Sequence, residues 1–247
     1  MIDKKELNSL KSPVIIALDV DNPKQAEMLV EELKDYVSVF KVGSQLFTSQ
    51  GPDIIDFIHN KGCKVFLDLK FHDIPNTVAQ AVGNAVKNDV FMLTVHASGG
   101  IEMMRSAYEA AQSQTILLGV TVLTSIDEKI LKNDLHIETS IKEYVSHLAK
   151  MAKMAGLNGV VASSEEIKHI RQICGEDFLI VTPGIRLQDS DKDDQKRTSS
   201  PAQAINGGAD LIVIGRSITR ASNPMHAMEK VIEELNERNI ATKARKI

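Results

Sequence analysis

The sequence contains no long apolar segment and only two cysteines. Its longest clean apolar runs, such as VIIAL at 14–18, are far shorter than the ~20 residues that a membrane-spanning helix needs. The N-terminal MIDKKELNSLK lacks the apolar core of a secretory signal. Cys63 and Cys174 form no CxxC pair, which predicts buried free thiols in a reducing compartment. These absences predict a cytoplasmic protein without a membrane association.

An excess of positive charge is also missing. Lys and Arg number 29 against 33 Asp and Glu, for a formal net charge of −4. Binding of nucleic acid through bulk charge needs a basic face, so this balance argues against nucleic-acid binding. A local basic pocket for one small anion is still compatible with it. With 247 residues, 43% of them hydrophobic, the chain can bury a core without a metal or a disulfide.

The sequence does contain a regular alternation of short apolar runs and longer amphipathic stretches. Eight runs have the continuous apolar character of parallel strands that helices cover on both faces: VIIALDV (14–20), SVFKVG (38–43), KVFLDLK (64–70), VFMLTVH (90–96), TILLGVTVL (115–123), GVVAS (159–163), FLIVTPG (178–184) and DLIVIG (210–215). Pro23, Pro75 and Pro224 stand where helical patterns begin, a position that tolerates proline. Eight such units predict a (β/α)8 barrel, for which ~250 residues are usual, as a single domain over 1–247.

A doubly wound open sheet is the competing topology. That fold often carries a glycine-rich phosphate loop after its first strand, whereas the segment here is DVDNPKQ (19–25). The barrel is therefore favoured. The polar stretch LQDSDKDDQKRTSS (187–200) lies between the last two predicted strands. A loop of this length in a compact barrel is either a solvated connection or a lid over the site.

Charged residues cluster where the first three predicted strands end. Because side chains alternate along a strand, Asp68 and Lys70 are expected to point into the barrel together with Phe66, as are Lys41 of the second strand and Asp19 of the first. Inward charges are costly unless they are paired. A neighbouring pair at ~4 Å attracts by about 4 kcal/mol at an effective dielectric near 20. The alternative is a set of ordinary solvated strand ends.

A second constellation follows the last two strands, where barrels commonly bind phosphate. Gly215 allows a ligand to approach the backbone, and Arg216 supplies a fork of donors that suits phosphate. Residues 217–219 are expected to start a short helix, and Arg186 is a candidate second arginine. The alternative is a Gly-Arg pair that only caps a helix. A metal site built on His72 and His96 is disfavoured, because no HxH or HExxH pattern is present.

The segment DLKFHDIPNT at 68–77 resembles the signature of the orotidine 5′-monophosphate decarboxylase family. Further matches occur in that family's order along nearly the whole chain: ALDV at 17–20, FKVG at 40–43, TVHASGG at 94–100, GVTVLTS at 119–125, TPGIR at 182–186, DQKR at 194–197 and VIGRSIT at 213–219. The DxKxxD core is shared with related sugar-phosphate decarboxylases and synthases. The additional IPNT, LTS and DQKR segments point more specifically to the orotidine branch.

The resemblance implies a cofactor-free, metal-free decarboxylation of orotidine 5′-monophosphate to UMP, the last step of de novo pyrimidine synthesis. It assigns proton donation to C6 to Lys70, places Asp68 against the substrate carboxylate, and makes Lys41 an anchor for Asp68 and the ribose. Asp73 would complete the charge array. In the family that aspartate and the residue matching Thr77 reach the neighbouring subunit's site, so a homodimer is implied.

The resemblance also assigns residues that bind the rest of the substrate. Asp19 would bind the ribose, and Thr124 and Ser125 the edge of the pyrimidine. The phosphate would be held by four residues, with 187–200 closing as a lid: Arg186, Gln195, Gly215 and Arg216. Loss of CO2 from C6 leaves charge on a carbon with no adjacent carbonyl. A fixed ammonium is suited to stabilise such charge in the transition state.

Two other functions are compatible with parts of this pattern. One is a metal-assisted sugar-phosphate enzyme, a 3-keto-gulonate phosphate decarboxylase or a hexulose phosphate synthase, which would keep the barrel and the DxK pair. The other is a nucleotide-phosphate binder without catalysis. The DQKR and LTS segments disfavour the first, and the charged side chains at all four array positions disfavour the second.

Overall fold

The computed structural model describes residues 4–187 and 198–244, and it contains a closed barrel of eight parallel strands. The strands are β1 (Val14–Ala17), β2 (Val39–Gly43), β3 (Lys64–Phe71), β4 (Met92–His96), β5 (Ile116–Val120), β6 (Gly159–Val161), β7 (Leu179–Thr182) and β8 (Leu211–Ile214). Each strand pairs with the next along the chain, and β8 closes the ring on β1 through Ile212 and Val14. The predicted (β/α)8 barrel and its eight strands are confirmed.

Helices connect the strands and cover the outside of the ring. They are α1 (Lys4–Leu7), α2 (Pro23–Leu33), α3 (Ser44–Gln50), α4 (Asp53–Asn60), α5 (Pro75–Lys87), α6 (Gly100–Ala111), α7 (Glu128–Asn133), α8 (Ile141–Met154), α9 (Ile167–Cys174), α10 (Pro201–Gly207), α11 (Arg216–Thr219) and α12 (Pro224–Ala244). Pro23, Pro75 and Pro224 each begin a helix, as predicted. None of the helices in the described ranges is long and apolar enough to cross a membrane.

Most strands are shorter than the sequence pattern predicted. The run 14–20 forms a strand only over Val14–Ala17, and the run 178–184 only over Leu179–Thr182. The chain leaves the strand ladder where it reaches the carboxyl-end rim of the barrel. The backbone of the polar residues that follow is therefore not restrained by strand pairing, and their side chains can point toward the rim.

The core has two layers that follow strand alternation. Side chains such as Ile15, Val39 and Phe66 fill the inside of the barrel. Their neighbours in sequence, Ile16 and Phe40 among them, pack outward against the helices. This parity places Lys41 and Asp68 on the inward face, as predicted from the sequence. Cys63 and Cys174 are buried and unbonded to each other, and burial raises the pKa of both thiols.

An arginine whose side chain is only 10% exposed ties the amino-terminal end of the barrel together. The Arg171 guanidinium of α9 donates to the Gly208 carbonyl at 2.8 Å, to the Phe178 carbonyl, and to the Asp210 carboxylate at 2.5 Å. Asp210 also accepts the backbone N–H of Ile180 at 2.8 Å. The cluster therefore joins α9 to the starts of β7 and β8, at the end of the barrel opposite the predicted site.

Replacing Arg171 by methionine is expected to lower the free energy of unfolding by about 3 kcal/mol, because it leaves the largely buried Asp210 carboxylate without its charged partner. Urea unfolding monitored by circular dichroism measures the change. The exposed Lys168 of the same helix gives the control, since Lys168→Met is expected to cost less than about 0.5 kcal/mol. Equal effects of the two substitutions would contradict the role assigned to Arg171.

Candidate functional site

A cavity of about 480 Å³ opens at the carboxyl ends of the strands. Its deeper wall is apolar, with Ala17, Phe66, Val120, Val161 and Val213 among the lining residues. Polar side chains from seven of the eight strand ends surround the opening. The predicted site residues that line it are Asp19, Lys41, Asp68, Lys70, Thr124, Ser125, Arg186, Gly215 and Arg216. Nine residues that are scattered along the sequence thus share one cavity, as in other barrel sites.

Four of these side chains form an alternating chain of charge. Lys41 Nζ lies 2.9 Å from Asp19 Oδ1 and 3.5 Å from Asp68 Oδ2. Lys70 Nζ lies 2.9 Å from the same Asp68 Oδ2. Lys41 and Asp68 are buried, whereas Asp19 and Lys70 are more exposed toward the opening. The order Asp19–Lys41–Asp68–Lys70 therefore places an ammonium at the mouth of the cavity.

The charges in this chain stabilise one another. Burial acts to raise the pKa of the Asp68 carboxyl, but the charges of Lys41 and Lys70 outweigh it, together with hydrogen bonds from Lys70 and Thr94. The pKa of Asp68 consequently lies below its ordinary value. Burial acts to lower the pKa of Lys41, but Asp68 and Asp19 outweigh it and the pKa is raised. Both buried groups are therefore charged at neutral pH.

Lys70 reaches the mouth by a route that simple strand alternation does not describe. Leu67 pairs with Leu93, but the next paired residue, Phe71, lies opposite Val95, so β3 bulges between them. Lys70 adopts a left-handed backbone with φ of 52°, a conformation uncommon outside glycine. The predicted inward direction of the side chain is confirmed by its contact with Asp68, yet it depends on this bulge.

A glycine makes room for the charge chain. A Cβ atom on Gly43, at the end of β2, would lie 3.1 Å from Asp19 Oδ1 and 3.2 Å from Lys41 Nζ. Both atoms would have to move slightly to make room for that Cβ atom. Gly43 adopts an ordinary extended conformation, with φ of −89° and ψ of 177°, so its role here is close packing against the ion pair.

Cationic side chains also line the cavity, from the part of the rim that follows β7 and β8. Arg186 follows β7, and Arg216 begins α11, one residue before the predicted helix start. Arg220, which the sequence patterns did not single out, lines the same region one helical turn later. Guanidinium groups that line the same cavity as the Gly215 backbone suit a phosphate.

The base of the predicted lid is closed by backbone pairing. Ile185 and Ser199 form a parallel bridge, in which the Arg186 N–H donates to the Ser199 carbonyl at 3.0 Å. The Ser199 N–H donates to the Gly184 carbonyl at 3.2 Å. Residues 188–197 of the predicted lid, including Gln195, lie outside the described residues.

Asp73 and Thr77 are not brought into the cavity of their own chain. Both are exposed on the surface beyond β3 and at the start of α5. The Asp73 carboxylate accepts the backbone N–H of Ile74 at 2.6 Å. The Ile74 side chain between them is 66% exposed. The structure thus separates these two residues from the nine that converge.

The histidines considered as metal ligands form a ring contact beside the site. His72 and His96 have centroids 5.4 Å apart with planes tilted by 36°. Burial, then the nearby His72 and Lys70, lower the pKa of His96, which keeps its imidazole neutral at pH 7. Across residues 4–187 and 198–244, no three His, Cys, Asp or Glu side chains are grouped as metal ligands.

Thr94 is a site residue that the sequence reasoning missed. It is fully buried in β4, donates to Asp68 Oδ1 at 2.9 Å, and accepts the Lys70 N–H at 2.9 Å. A signal was available, because Thr94 shares the inward parity of Met92 and is polar among apolar strand residues. Gln45 and Ser163 also line the cavity without having been predicted.

The arrangement defines a specific chemical capacity. A fixed ammonium beside a carboxylate, at the mouth of a cavity with apolar walls, can stabilise negative charge that develops on a bound molecule. The same ammonium can donate a proton to that position. The arginines that line the same cavity can hold a phosphate. A phosphorylated ligand, with its phosphate at the arginines and its reacting group at the lysine, fits this arrangement.

Known proteins of one family match this chain over most of its length. The model of the "Orotidine 5′-phosphate decarboxylase / HUMPS family" matches residues 12–231. A protein of Syntrophomonas wolfei named orotidine 5′-phosphate decarboxylase is 48% identical over 91% of this chain and 98% of its own length. One of Legionella pneumophila with the same name is 47% identical over 90% of this chain and 98% of its own.

Solved structures show the same fold. The crystal structure of orotidine 5′-phosphate decarboxylase from Lactobacillus acidophilus has a TM-score of 0.80 and 40% identity, covering 91% of this chain and 99% of that one. An uncharacterized conserved protein from Geobacillus kaustophilus has a TM-score of 0.79 and 37% identity, covering 90% of this chain and all of the other.

Proposed function

The chain belongs to the orotidine 5′-phosphate decarboxylase / HUMPS family and is a carboxy-lyase, and we propose that it converts orotidine 5′-monophosphate to UMP and CO2 without a cofactor. This reaction completes de novo pyrimidine nucleotide synthesis. The observation that carries the proposal is the Lys70 ammonium, held 2.9 Å from Asp68 at the mouth of a cavity that arginines also line.

Lys70 is proposed to act on C6 of the pyrimidine. The bond between C6 and the carboxyl carbon breaks, CO2 leaves, and the electron pair stays on C6. The adjacent ammonium stabilises that charge and then transfers a proton to C6, after which solvent returns a proton to the lysine. For the slowest uncatalysed reactions the barrier reduction needed is about 20 kcal/mol, and preorganised charge is the largest contribution available to this site.

Asp68 and Lys41 are proposed to prepare the ground state. Asp68 would face the substrate carboxylate, so its negative charge disfavours the bound reactant more than the product. Lys41, in contact with both Asp68 and Asp19, would keep Asp68 ionised and bind ribose hydroxyls with Asp19. Because Lys41 is buried and held from two sides, little reorganisation is needed during the reaction.

The remaining contacts are proposed to orient the nucleotide. Thr124 and Ser125, which follow β5 along the cavity wall, would bind the edge of the pyrimidine. Arg186, Gly215 and Arg216 would bind the phosphate. Binding of this distant group can raise turnover as well as affinity. Gln195 and lid closure over 187–200 stay predictions from the resemblance. The single domain over 1–247 and the cytoplasmic location stay predictions from the sequence pattern.

We also propose that the enzyme is a homodimer in which Asp73 and Thr77 serve the partner's site. Both residues are exposed and lie away from the cavity of their own chain. The exposed Ile74 between them adds an apolar group that a partner surface would bury. In this arrangement Asp73 would supply the second carboxylate beside Lys70.

The function is tested by an assay in the presence of a chelator. Purified protein treated with EDTA is expected to convert orotidine 5′-monophosphate to UMP, seen as loss of the orotate-ring ultraviolet absorbance. Orotidine, which has no phosphate, is the matched control and is expected to react far more slowly. A protein inactive on the nucleotide, but active on a hexulose phosphate once Mg²⁺ is added, would instead support the sugar-phosphate alternative.

A further inference from the structure

We infer that Thr94 is a positioning residue that sets the geometry of both Asp68 and Lys70 for turnover. The inference rests on the proposed function, since the two residues it orients are the ones proposed to act on the substrate. Thr94 does not line the cavity. It would therefore act through its neighbours and not through contact with the substrate.

The Thr94 hydroxyl makes two hydrogen bonds, one as a donor and one as an acceptor. As a donor it contacts Asp68 Oδ1 at 2.9 Å, and as an acceptor it receives the Lys70 backbone N–H at 2.9 Å. The side chain has no exposure to solvent, so water does not compete for these bonds. One buried hydroxyl thus links the carboxylate and the lysine that flank Leu69.

The bond to Asp68 decides which carboxylate oxygen faces the lysines. Oδ1 is occupied by Thr94, while Oδ2 lies 2.9 Å from Lys70 Nζ and 3.5 Å from Lys41 Nζ. Without the hydroxyl, only the two ammonium groups at Oδ2 hold the carboxylate, and it gains freedom to rotate about its terminal bond. The partner of the Lys70 ammonium would then be less firmly fixed.

The bond to Lys70 supports an unusual backbone. Between Leu67 and Phe71 the pairing with β4 is interrupted, so the Lys70 N–H has left the regular ladder. Its acceptor is the Thr94 hydroxyl, and the residue has a φ of 52°. Strained backbone at a functional residue persists only where the surroundings stabilise it. The hydrogen bond to the Thr94 hydroxyl is one contact that stabilises the backbone of Lys70 in this conformation.

The test compares three substitutions of Thr94 with a matched control. Thr94→Val keeps the branched shape and removes the hydroxyl, Thr94→Ser keeps the hydroxyl, and Thr94→Ala removes it in case valine prevents folding. The control is Thr115→Val, which removes another buried hydroxyl, bonded to the Val90 carbonyl at 2.7 Å. For each variant, kcat, KM, UMP affinity and thermal stability are measured.

Because a misplacement of about 1 Å at a reacting group can cost about 100-fold in rate, kcat is expected to fall 10- to 100-fold in Thr94→Val and Thr94→Ala. Thr94→Ser is expected to stay within about threefold of wild type. KM and UMP affinity should change little, because the phosphate contacts are untouched. Thr115→Val should leave kcat unchanged whatever its effect on stability.

A pH profile separates positioning from general loosening. Loss of the Thr94 donor removes stabilisation of the Asp68 carboxylate, so the acid limb of kcat/KM is expected to move to higher pH in Thr94→Val but not in Thr115→Val. The charged groups facing Asp68 are Lys41 and Lys70, with the imidazole of His96 nearby. These groups are the same in both variants, so the difference reports the hydroxyl.

Two results would overturn the inference. One is a Thr94→Val or Thr94→Ala enzyme that keeps the wild-type kcat and pH profile. The other is an equal loss of kcat in Thr94→Ser and Thr94→Val, which would make the hydroxyl irrelevant. Wild-type protein without any turnover of the nucleotide would instead contradict the proposed function, and this inference with it.

Discussion

Substituting Lys70 by alanine is expected to lower kcat by about 10⁴-fold or more, because the change removes the group proposed both to donate the proton and to stabilise the charge of the transition state. The fold should persist, since Asp68 keeps its contacts with Lys41 and with the Thr94 hydroxyl. Turnover is measured by loss of orotate-ring absorbance at high enzyme concentration. Circular dichroism and UMP binding check that the barrel and the phosphate site remain intact.

Lys64 provides the control on the same strand. It begins β3 at the opposite end of the barrel, where its ammonium lies 3.8 Å from Glu6 and 4.3 Å from the centroid of the Phe91 ring. Lys64→Ala removes the same charge without approaching the cavity, so kcat is expected to stay within about twofold of wild type. A Lys70→Ala enzyme that retained a tenth of wild-type turnover would refute the proposed role of the lysine.

Mixing two inactive variants should restore activity if Asp73 serves the partner's site. Lys70→Ala and Asp73→Asn are each expected to retain less than about 1% of wild-type turnover. In random dimers of equal amounts, about half are mixed, and each mixed dimer has one site with both native residues. Recovery of about a quarter of the wild-type activity is therefore expected after co-refolding.

A second mixture controls for nonspecific rescue. Asp68 and Lys70 lie 2.9 Å apart within one chain, so mixed dimers of Asp68→Asn and Lys70→Ala contain no complete site and should stay inactive. If the Asp73 mixture also stayed inactive while dimers formed, Asp73 would act within its own chain or not at all. Size-exclusion chromatography of the wild type reports whether the dimer itself exists.

Much of the fold and part of the site follow from simple periodicities. Continuous apolar runs identified all eight strands, and strand parity placed Lys41 and Asp68 on the inward face with Phe66. Their ends converge because parallel strands of a barrel present all their carboxyl ends at one rim. For these residues, position in the sequence is enough to predict position in space.

The geometry around Lys70 and Thr94 could not be predicted from these periodicities. The Lys70 side chain reaches the mouth through a left-handed residue inside a bulge, which depends on how β3 pairs with β4 rather than on either sequence alone. Thr94 matters because its hydroxyl has two partners on a different strand. Asp73 and Thr77 illustrate another limit, because only the resemblance predicts that they serve a neighbouring chain, and no pattern in the sequence does so.

The separation between the Arg171 cluster and the charged rim has an evolutionary consequence. Arg171 joins the chain at the amino ends of β7 and β8, whereas the charged groups that line the cavity occupy the carboxyl ends. Substitutions far apart and without shared partners act nearly independently. Relatives with the same ring of strands can therefore change their chemistry at the carboxyl ends of the strands while the amino ends keep the barrel stable. Selection can then modify the two ends largely independently.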